Sequence, residues 1–204
     1  MLKVTEIYRT IQGEGMFAGT PVLLIRFSGC NKNCDFCDTQ HTKYTSVSVD
    51  ALMDIVVVDK RKWQHILLTG GEPLIQDDIF LFIEKLHQME YSIHLETNGS
   101  IGIKQKYEKM LYSLSLSPKI HRHNCKISKA TSLKFLYPCD VAGSLDDWVD
   151  FPADWKGIQP LFSSNKSIFV YNTNLTVNLL LQSQTLLSTG WKLSLQQHRY
   201  INIK

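Results

Sequence analysis

The stretch Cys30-Asn31-Lys32-Asn33-Cys34-Asp35-Phe36-Cys37 decides how the rest of the chain is interpreted. It holds three of the five cysteines directly after an apolar run, and Asp38-Thr39 follows it. A cubane iron–sulfur cluster is normally held by one thiolate for each iron. Three thiolates in one loop therefore indicate a cluster with one open iron, and an open coordination position is where a metal site does chemistry.

Spacing alone leaves two other interpretations of these cysteines. A structural zinc site would take its fourth ligand from His41, Cys125 or Cys139, although zinc motifs usually pair cysteines in separate C-x2-4-C units. A disulfide framework is disfavoured because five cysteines is an odd number and a chain of this size can build its own core. No signal-peptide pattern opens the sequence, so with free thiols we expect the reducing cytoplasm.

Length and composition predict one globular domain over residues 1–204. The chain is 44% hydrophobic and 20% charged, as in ordinary folded domains. Its net charge of +3 is small, and the basic residues form no long block that would indicate a nucleic-acid surface. No apolar run reaches the roughly 18 residues that suggest a membrane span. We therefore expect neither nucleic acid nor a membrane as a partner.

Strand-like and helix-like runs alternate along the chain, which predicts a parallel sheet with crossover helices. Strands are expected at residues 4–8, 21–27, 64–69, 91–96, 112–116, 133–137, 156–159 and 192–196. Helices are expected at residues 48–60, 75–89, 104–111 and 172–187.

Several of these strands have one polar and one apolar face. His94 and Glu96 oppose Leu95 on one strand, and Ser113 and Ser115 alternate with apolar residues on the next. Where helices cover the outer face of a parallel sheet, a polar inner face must line an interior. A complete eight-stranded barrel fills that interior with branched apolar side chains. The alternation predicts an α/β fold, namely a partial, incomplete TIM-like parallel β/α barrel of about six core strands around a polar ligand.

Two motifs together carry a family resemblance. The cysteines stand in the C-x3-C-x2-C arrangement of the radical SAM enzymes, and Thr69-Gly70-Gly71-Glu72-Pro73 is similar to their glycine-rich S-adenosylmethionine motif. Other segments resemble the 7-carboxy-7-deazaguanine synthase family: Gln12-Gly13-Glu14-Gly15, Cys37-Asp38-Thr39, Glu96-Thr97-Asn98-Gly99, Ser117-Pro118-Lys119 and Gln159-Pro160. The resemblance runs from Glu6 to the C-terminus and implies a modified radical SAM core. Gln196-Gln197-His198-Arg199 departs from the family's Q-T-H-K ending at Gln197 and Arg199.

The resemblance implies the following site residues. A 4Fe–4S cluster is expected on Cys30, Cys34 and Cys37, and Mg2+, which prefers hard oxygen ligands, on Thr39. Contacts to S-adenosylmethionine are expected from Gly70, Gly71, Glu72, Glu96, Asn98, Ser117, Pro118, Lys119, Gln159 and Pro160. Contacts to a pterin substrate are expected from Ile11, Gln12, Gly13, Glu14, Arg26 and Thr69.

Arg26 also stands out on physical grounds. An arginine on a buried strand is costly unless it meets an anion, and its planar fork suits a carboxylate. From the residues alone, an exposed strand face is an equal alternative. The resemblance assigns the substrate carboxylate to Arg26.

The implied activity is conversion of 6-carboxy-5,6,7,8-tetrahydropterin to 7-carboxy-7-deazaguanine with loss of ammonia, in queuosine or other 7-deazapurine biosynthesis. Hydrogen abstraction by a 5'-deoxyadenosyl radical begins the ring contraction. A homodimer and a flavodoxin-like reductant are implied as well. One alternative is a radical SAM activase that installs a glycyl radical on a partner protein, which has no evident need for Gln12, Arg26 and Thr39 as a set. Another is a non-catalytic zinc or iron–sulfur module, which has no use for a polar lumen.

Two further features stay open in the sequence. Lys134, between Leu133 and Phe135, is predicted either to face the lumen or to be solvated. The run His121-Arg122-His123-Asn124-Cys125 is interpreted as a polar loop over the site, with a metal cluster as the alternative. Cys125 and Cys139 are treated as ordinary cysteines.

Overall fold

The computed structural model describes residues 1–40, 42–58 and 64–203. In these residues nine strands form one sheet. The strands are β1 (Leu2–Ile11), β2 (Pro21–Phe27), β3 (Thr45–Val47), β4 (His65–Gly70), β5 (Ser92–Thr97), β6 (Ser113–Leu116), β7 (Ala130–Tyr137), β8 (Ala153–Pro160) and β9 (Lys192–Leu193). The helices are α1 (Val49–Val58), α2 (Ile79–Gln88), α3 (Gln105–Glu108), α4 (Lys166–Gln182), α5 (Gln184–Ser188) and α6 (Gln197–Tyr200).

The sheet is parallel over most of its width. Its order is β3-β1-β2-β4-β5-β6-β7-β8-β9, and neighbours from β2 onward pair in parallel. Only β1 runs antiparallel, to both β2 and β3. The predicted partial barrel is confirmed, with β2 and β4 to β8 as its six core strands. Within the described residues, no helix is long and apolar enough to cross a membrane.

The alternation of side chains puts the main core on the outer face of the sheet. Leu23, Ile25 and Phe27 of β2 pack there with residues of the other parallel strands and with helices α1 and α2. The inner face is less uniform than the sequence predicts. Leu24 and Leu67 form a separate small apolar cluster, so the lumen is polar over only part of its wall.

Some element boundaries differ from prediction because capping residues move them. The predicted helix 75–89 begins only at Ile79, after a 3-10 turn that the Glu72 side chain caps. The predicted helix 172–187 is two helices: Asn165 caps α4 and Ser183 caps α5, each by accepting a backbone N–H. Asn and Ser are strong N-cap residues.

Other differences lie in short elements. The predicted helix 104–111 is only the turn α3, the predicted strand 192–196 is only β9, and the sequence interpretation did not foresee β3 or α6. His41, a ligand in the zinc alternative, and residues 59 and 60 of the predicted helix 48–60 lie outside the described residues.

Candidate active site

A cavity of about 470 Å3 opens at the C-terminal ends of the parallel strands. Parallel α/β folds generally build their sites at this edge. The predicted site residues that line it are Ile11, Gln12, Gly13, Glu14, Arg26, Cys30, Cys34, Cys37, Thr39, Thr69, Gly70, Gly71, Glu96, Asn98, Ser117, Lys119, Gln159 and Pro160. Glu72 and Pro118 are buried behind this lining.

The loop between β1 and β2 reaches the cavity from the opposite end. Because β1 is antiparallel to β2, Ile11 pairs with Pro21 at the N-terminal end of the parallel strands. From there Gln12 Nε2 donates to Glu96 Oε1 at 3.2 Å, and the Met16 N–H donates to Ser132 Oγ at 3.2 Å. The loop of residues 12–20 therefore forms the floor of the cavity.

The cysteine loop lies at the mouth of the cavity. Cys30 and Cys34 are half-buried, Cys37 is exposed, and all are free thiols. Burial raises the pKa of the Cys34 thiol; the Lys119 ammonium opposes that rise, and the thiols of Cys30 and Cys37 add to it.

The donor set of this loop fits an iron–sulfur cluster, since soft thiolates are the ligands that such clusters take. In the described part of the chain, no three Cys, His, Asp or Glu side chains are drawn together into a metal-ligating group. The fit therefore rests on the donor chemistry and on the position of the loop at the cavity mouth.

Gly70 and Gly71 hold the cysteine loop close to the end of β4. A β-carbon on Gly71 would collide with the Gly29 carbonyl, and one on Gly70 with the Phe27 backbone. Gly70 also has a φ of 146°, which favours glycine. The glycines are thus needed for packing between two chain segments, in addition to the ligand approach that the motif predicts.

Glu72 ties the glycine motif to the end of β5. Its carboxylate accepts from the Asn98 N–H at 2.7 Å, from Thr97 Oγ1 at 3.0 Å and from the Leu74 N–H at 3.1 Å. Burial raises its pKa, and the hydrogen bonds from Asn98, Leu74 and Thr97 oppose the rise. Glu72 therefore positions the motif from behind the wall.

A lysine that the motifs left open lies at the centre of the cavity. Lys134 Nζ donates to Glu14 Oε2 at 2.5 Å and to Glu96 Oε1 at 3.1 Å, and its side chain is 4% exposed. Burial alone would lower the pKa of Lys134, but the two carboxylates raise it well above its usual value. Burial would raise the pKa of Glu14, but Lys134 lowers it below its usual value. Lys134 thus faces the lumen as a cation.

A second lysine occupies the same lumen. Lys119 Nζ donates to Ser117 Oγ at 2.7 Å and to the Ser117 carbonyl at 3.1 Å. Its pKa is lowered, first by burial and then by the Lys134 ammonium. The Lys119 amino group therefore lies close to the cysteine loop, where its coulombic interaction with Cys34 opposes the lowering of its pKa.

Arg26 meets an anion, as its position on β2 predicts. Its Nε donates to Glu6 Oε1 at 2.7 Å, and its Nη2 donates to Tyr8 Oη at 3.3 Å. Both partners lie on the neighbouring strand β1 and both line the cavity. The guanidinium is thus held in place at the cavity wall by protein groups.

The C-terminal segment joins the floor to the cysteine loop. Gln196 Nε2 donates to Glu14 Oε1 at 2.7 Å, and the Gln197 N–H donates to the Gly13 carbonyl at 2.9 Å. The His198 ring lies where a β-carbon on Gly13 would be. Arg199 pairs with Asp38, which also accepts from Thr39 Oγ1 at 3.2 Å. The side chains of Gln196, His198 and Arg199 line the cavity.

Known proteins are similar to this chain in sequence and in fold. The model of the Radical SAM superfamily matches residues 24–114. A 7-carboxy-7-deazaguanine synthase from Bacteroides thetaiotaomicron is 33% identical over 204 residues, covering 100% of each chain. Another from Burkholderia multivorans is 29% identical and covers 98% of each chain. The crystal structure of QueE from Escherichia coli has the same fold, with a TM-score of 0.69, 22% identity and coverage of 97% of this chain and 94% of that chain.

Proposed function

The chain belongs to the 7-carboxy-7-deazaguanine synthase family of radical SAM enzymes, and we propose that it converts 6-carboxy-5,6,7,8-tetrahydropterin to 7-carboxy-7-deazaguanine and ammonia. The proposal rests on the fact that segments distant in sequence line the same cavity. The glycine loop of residues 12–15, Arg26 and Thr39 are far apart in sequence, yet they line one cavity with the cysteine loop. A cavity of about 470 Å3 is in the size range of small-molecule sites, roughly 300–1,000 Å3.

The family brings its cofactors with it: a 4Fe–4S cluster, S-adenosylmethionine and Mg2+. Together the cluster and S-adenosylmethionine supply a 5'-deoxyadenosyl radical for hydrogen abstraction, while the protein supplies binding and orientation. Cys30, Cys34 and Cys37 would hold the cluster. Thr39 would offer a hydroxyl to Mg2+, which accepts few protein ligands and keeps waters.

The remaining roles divide the cavity between its two ends. Gly70, Gly71 and Asn98 lie next to the cysteine loop and would take S-adenosylmethionine, with Glu72 fixing them from behind. Glu14 on the floor would orient the pterin, and Arg26, near the C-terminal end of β2 beside Thr69, would bind the carboxylate of that ligand.

Ser117, Lys119, Gln159 and Pro160 line the wall between these two regions. Lys32, Lys119, Arg26 and Arg199 also line the cavity, and cations of this kind suit a ligand that carries carboxylates.

We further propose one domain over residues 1–204, a homodimer, a flavodoxin-like reductant and a cytoplasmic location. A single sheet that includes strands from both ends of the described chain supports one domain. Free thiols at the cavity mouth support a reducing compartment. Sedimentation analysis of the clustered protein tests the dimer, and electron transfer from reduced flavodoxin tests the reductant.

The decisive experiment is anaerobic reconstitution of the cluster, followed by incubation with carboxytetrahydropterin, S-adenosylmethionine, Mg2+ and dithionite. Mass spectrometry should detect 7-carboxy-7-deazaguanine, and omission of each component should remove it. Absence of this product from protein with full iron and sulfide content would overturn the proposal. A glycyl radical on an added partner protein would favour an activase, and tight zinc with no S-adenosylmethionine cleavage would favour a non-catalytic module.

A further inference from the structure

We propose that Lys134 is a positioning residue that holds the carboxylates of Glu14 and Glu96 together as one acceptor surface inside the cavity. The proposed function assigns no role to Lys134, and the motifs do not include it. The inference rests on the proposed function only where it names a pterin as the ligand. Its structural part concerns three described side chains and stands on their contacts.

The three residues come from separate parts of the fold. Glu14 lies in the loop of residues 12–20, Glu96 in β5 and Lys134 in β7. The Lys134 side chain is 4% exposed, against 15% for Glu14 and 22% for Glu96. The ammonium is thus the most deeply buried of the three charges. Its two hydrogen bonds connect the cavity floor to the opposite wall.

Each carboxylate is also held by neutral donors. Glu96 accepts from Gln12 Nε2 at 3.2 Å and from Thr69 Oγ1 at 2.9 Å, while Glu14 accepts from Gln196 Nε2 at 2.7 Å. These bonds restrict the rotation of both carboxylates. Such a constrained set suits a surface that must present oxygens in one arrangement.

Charge explains why a cation is needed at this point. Two carboxylates that share a site disfavour each other's ionised form, and one of them then retains a proton. A protonated carboxyl becomes a hydrogen-bond donor, whereas an ionised one only accepts. By lowering the pKa of Glu14, Lys134 keeps that carboxylate an acceptor beside Glu96. One cation for two carboxylates leaves the group with a net negative charge.

The acceptor surface indicates the ligand chemistry. Glu14 and Glu96 both line the cavity, so oxygen lone pairs of the pair can receive donors from a ligand. The matching ligand edge carries neighbouring N–H groups, as the amino-pyrimidinone edge of a pterin does. Lys134 itself would act on the ligand only through the two carboxylates.

The test compares Lys134→Met and Lys134→Arg with Lys129→Met, in cluster-free protein. Lys129 precedes β7 and forms a surface ion pair with Asp154 at 3.5 Å, so it is a matched control for loss of a lysine. Carboxyl titrations are followed by NMR on glutamate labelled with 13C at the carboxyl. Binding of fluorescent 6-carboxypterin is measured at pH 7.

Lys134→Met should raise the pKa of Glu14, because burial then acts unopposed, and weaken pterin binding roughly tenfold to hundredfold, as for loss of a hydrogen-bonded charge. Lys134→Arg should keep the pKa of Glu14 low and keep the dissociation constant of the pterin within about fivefold of the wild-type value. Lys129→Met should change neither the pKa nor the dissociation constant. Adding Glu96→Gln to Lys134→Met should leave the pKa of Glu14 raised, because burial raises it and the Lys134 ammonium no longer opposes the rise. A low Glu14 pKa in this double variant would contradict the role given to Lys134.

Unchanged titration in a folded Lys134→Met variant would overturn the inference. Where that variant fails to fold, the wild type decides: Glu14 must titrate below its ordinary pKa, and an ordinary or raised value overturns the proposal. Wild-type protein that binds no carboxypterin would contradict the proposed function, while the titrations would still decide the role of Lys134.

Discussion

The rim and the floor of the cavity are stabilised by different chemistry. At the rim, the buried carboxylate of Glu72 accepts hydrogen bonds from Leu74, Thr97 and Asn98, and the thiols of the cysteine loop lie above it. The rim is thus organised around a buried carboxyl group that accepts hydrogen bonds and around the free thiols of the cysteine loop. It is the part of the molecule where the proposed function requires a ligand and a cluster.

Below the cavity, aromatic rings pack together without an ion pair among them. Phe17, His65, His94 and Tyr112 contact one another with ring centroids 5.1 to 5.5 Å apart, and are called the ring cluster here. A chain of hydrogen bonds runs from His65 Nδ1 to His94 Nε2 at 2.9 Å and from His94 Nδ1 to Ser113 Oγ at 2.7 Å.

The comparison shows where the fold tolerates buried charge. Burial, with His65 beside it, lowers the pKa of His94 to about 4, and the Glu96 carboxylate only partly opposes this. His94 is therefore neutral at pH 7, whereas Glu14 and Lys134 remain charged because they pair with each other. Unpaired burial favours neutral groups, and paired burial preserves charge.

The largest expected effect is on the rim alone and leaves the ring cluster unchanged. Cys34→Ser replaces a soft thiolate with a hard hydroxyl, which iron–sulfur clusters rarely accept. Cluster absorbance near 400 nm and product formation should fall to background. The free energy of unfolding of the cluster-free protein should change by less than about 0.5 kcal/mol, as at sites without packing roles. Cys125→Ser, outside the cysteine loop, should keep both cluster and product; a Cys34→Ser variant with full iron content would contradict the ligand assignment.

The next effect belongs to the ring cluster and depends on pH. The pKa of His94 is lower in the folded chain than in the unfolded chain. As the pH falls below 6.5, the unfolded chain therefore binds a proton at His94 before the folded chain does, and the free energy of unfolding decreases. A drop from 6.5 to about 4 corresponds to about 3 kcal/mol of stability lost by pH 4. Urea unfolding at several pH values should show this loss in the wild type and a smaller one in His94→Gln.

Exposed His87 offers a matched control for the pH experiment. Between pH 7 and pH 4, the free energy of unfolding of His87→Gln should change with pH as it does in the wild type. If the free energy of unfolding depended on pH equally in His94→Gln and in the wild type, the ring cluster would accommodate a charged His94. The contrast between the ring cluster and the rim would then be contradicted.

The rim was the more predictable of the two regions. Its residues follow strand ends in recognisable spacings, so the sequence alone places Cys30, Gly70 and Asn98 in one group. Motif membership does not reveal which side chains face the ligand, and Glu72 lies behind the wall. A motif records which residues occur together, whereas orientation depends on the hydrogen bonds each finds.

The ring cluster and the lumen charges had no comparable signal. Phe17, His65, His94 and Tyr112 come from four separate segments with no common spacing. Lys134 remained ambiguous because a lysine can extend from a buried strand to solvent. The burial of Lys134 is favourable only because Glu14 and Glu96 both lie next to it in space. Glu14 reaches it because the loop of residues 12–20 enters the lumen, and this contact depends on the tertiary fold.

A smaller effect tests whether the rim depends on Glu72 as an acceptor. Glu72→Gln leaves one carbonyl oxygen where two carboxylate oxygens accepted, and turns an amide group toward the N–H of Asn98. Leaving buried donors without partners costs about 1–3 kcal/mol. Urea unfolding at pH 7 should show that loss, while Glu84→Gln, at a surface pair with Lys106, should cost less than about 1 kcal/mol. Equal stability of Glu72→Gln and the wild type would mean that the rim tolerates loss of this acceptor.

The smallest expected effect concerns the connection between rim and floor. Arg199 pairs with Asp38 and lies 3.5 Å from the centroid of the Phe162 ring, but both charges are partly exposed, so the pair contributes about 1 kcal/mol or less. Arg199→Ala should speed hydrogen exchange of the α6 amides by no more than about fivefold. Arg199→Lys keeps the positive charge but loses the planar stacking on Phe162. If the α6 amides exchanged as fast in Arg199→Lys as in Arg199→Ala, the contact with Phe162 would be what connects rim and floor. Wild-type exchange in Arg199→Lys would assign it to Asp38, and then the cysteine loop and the floor would be coupled through charge.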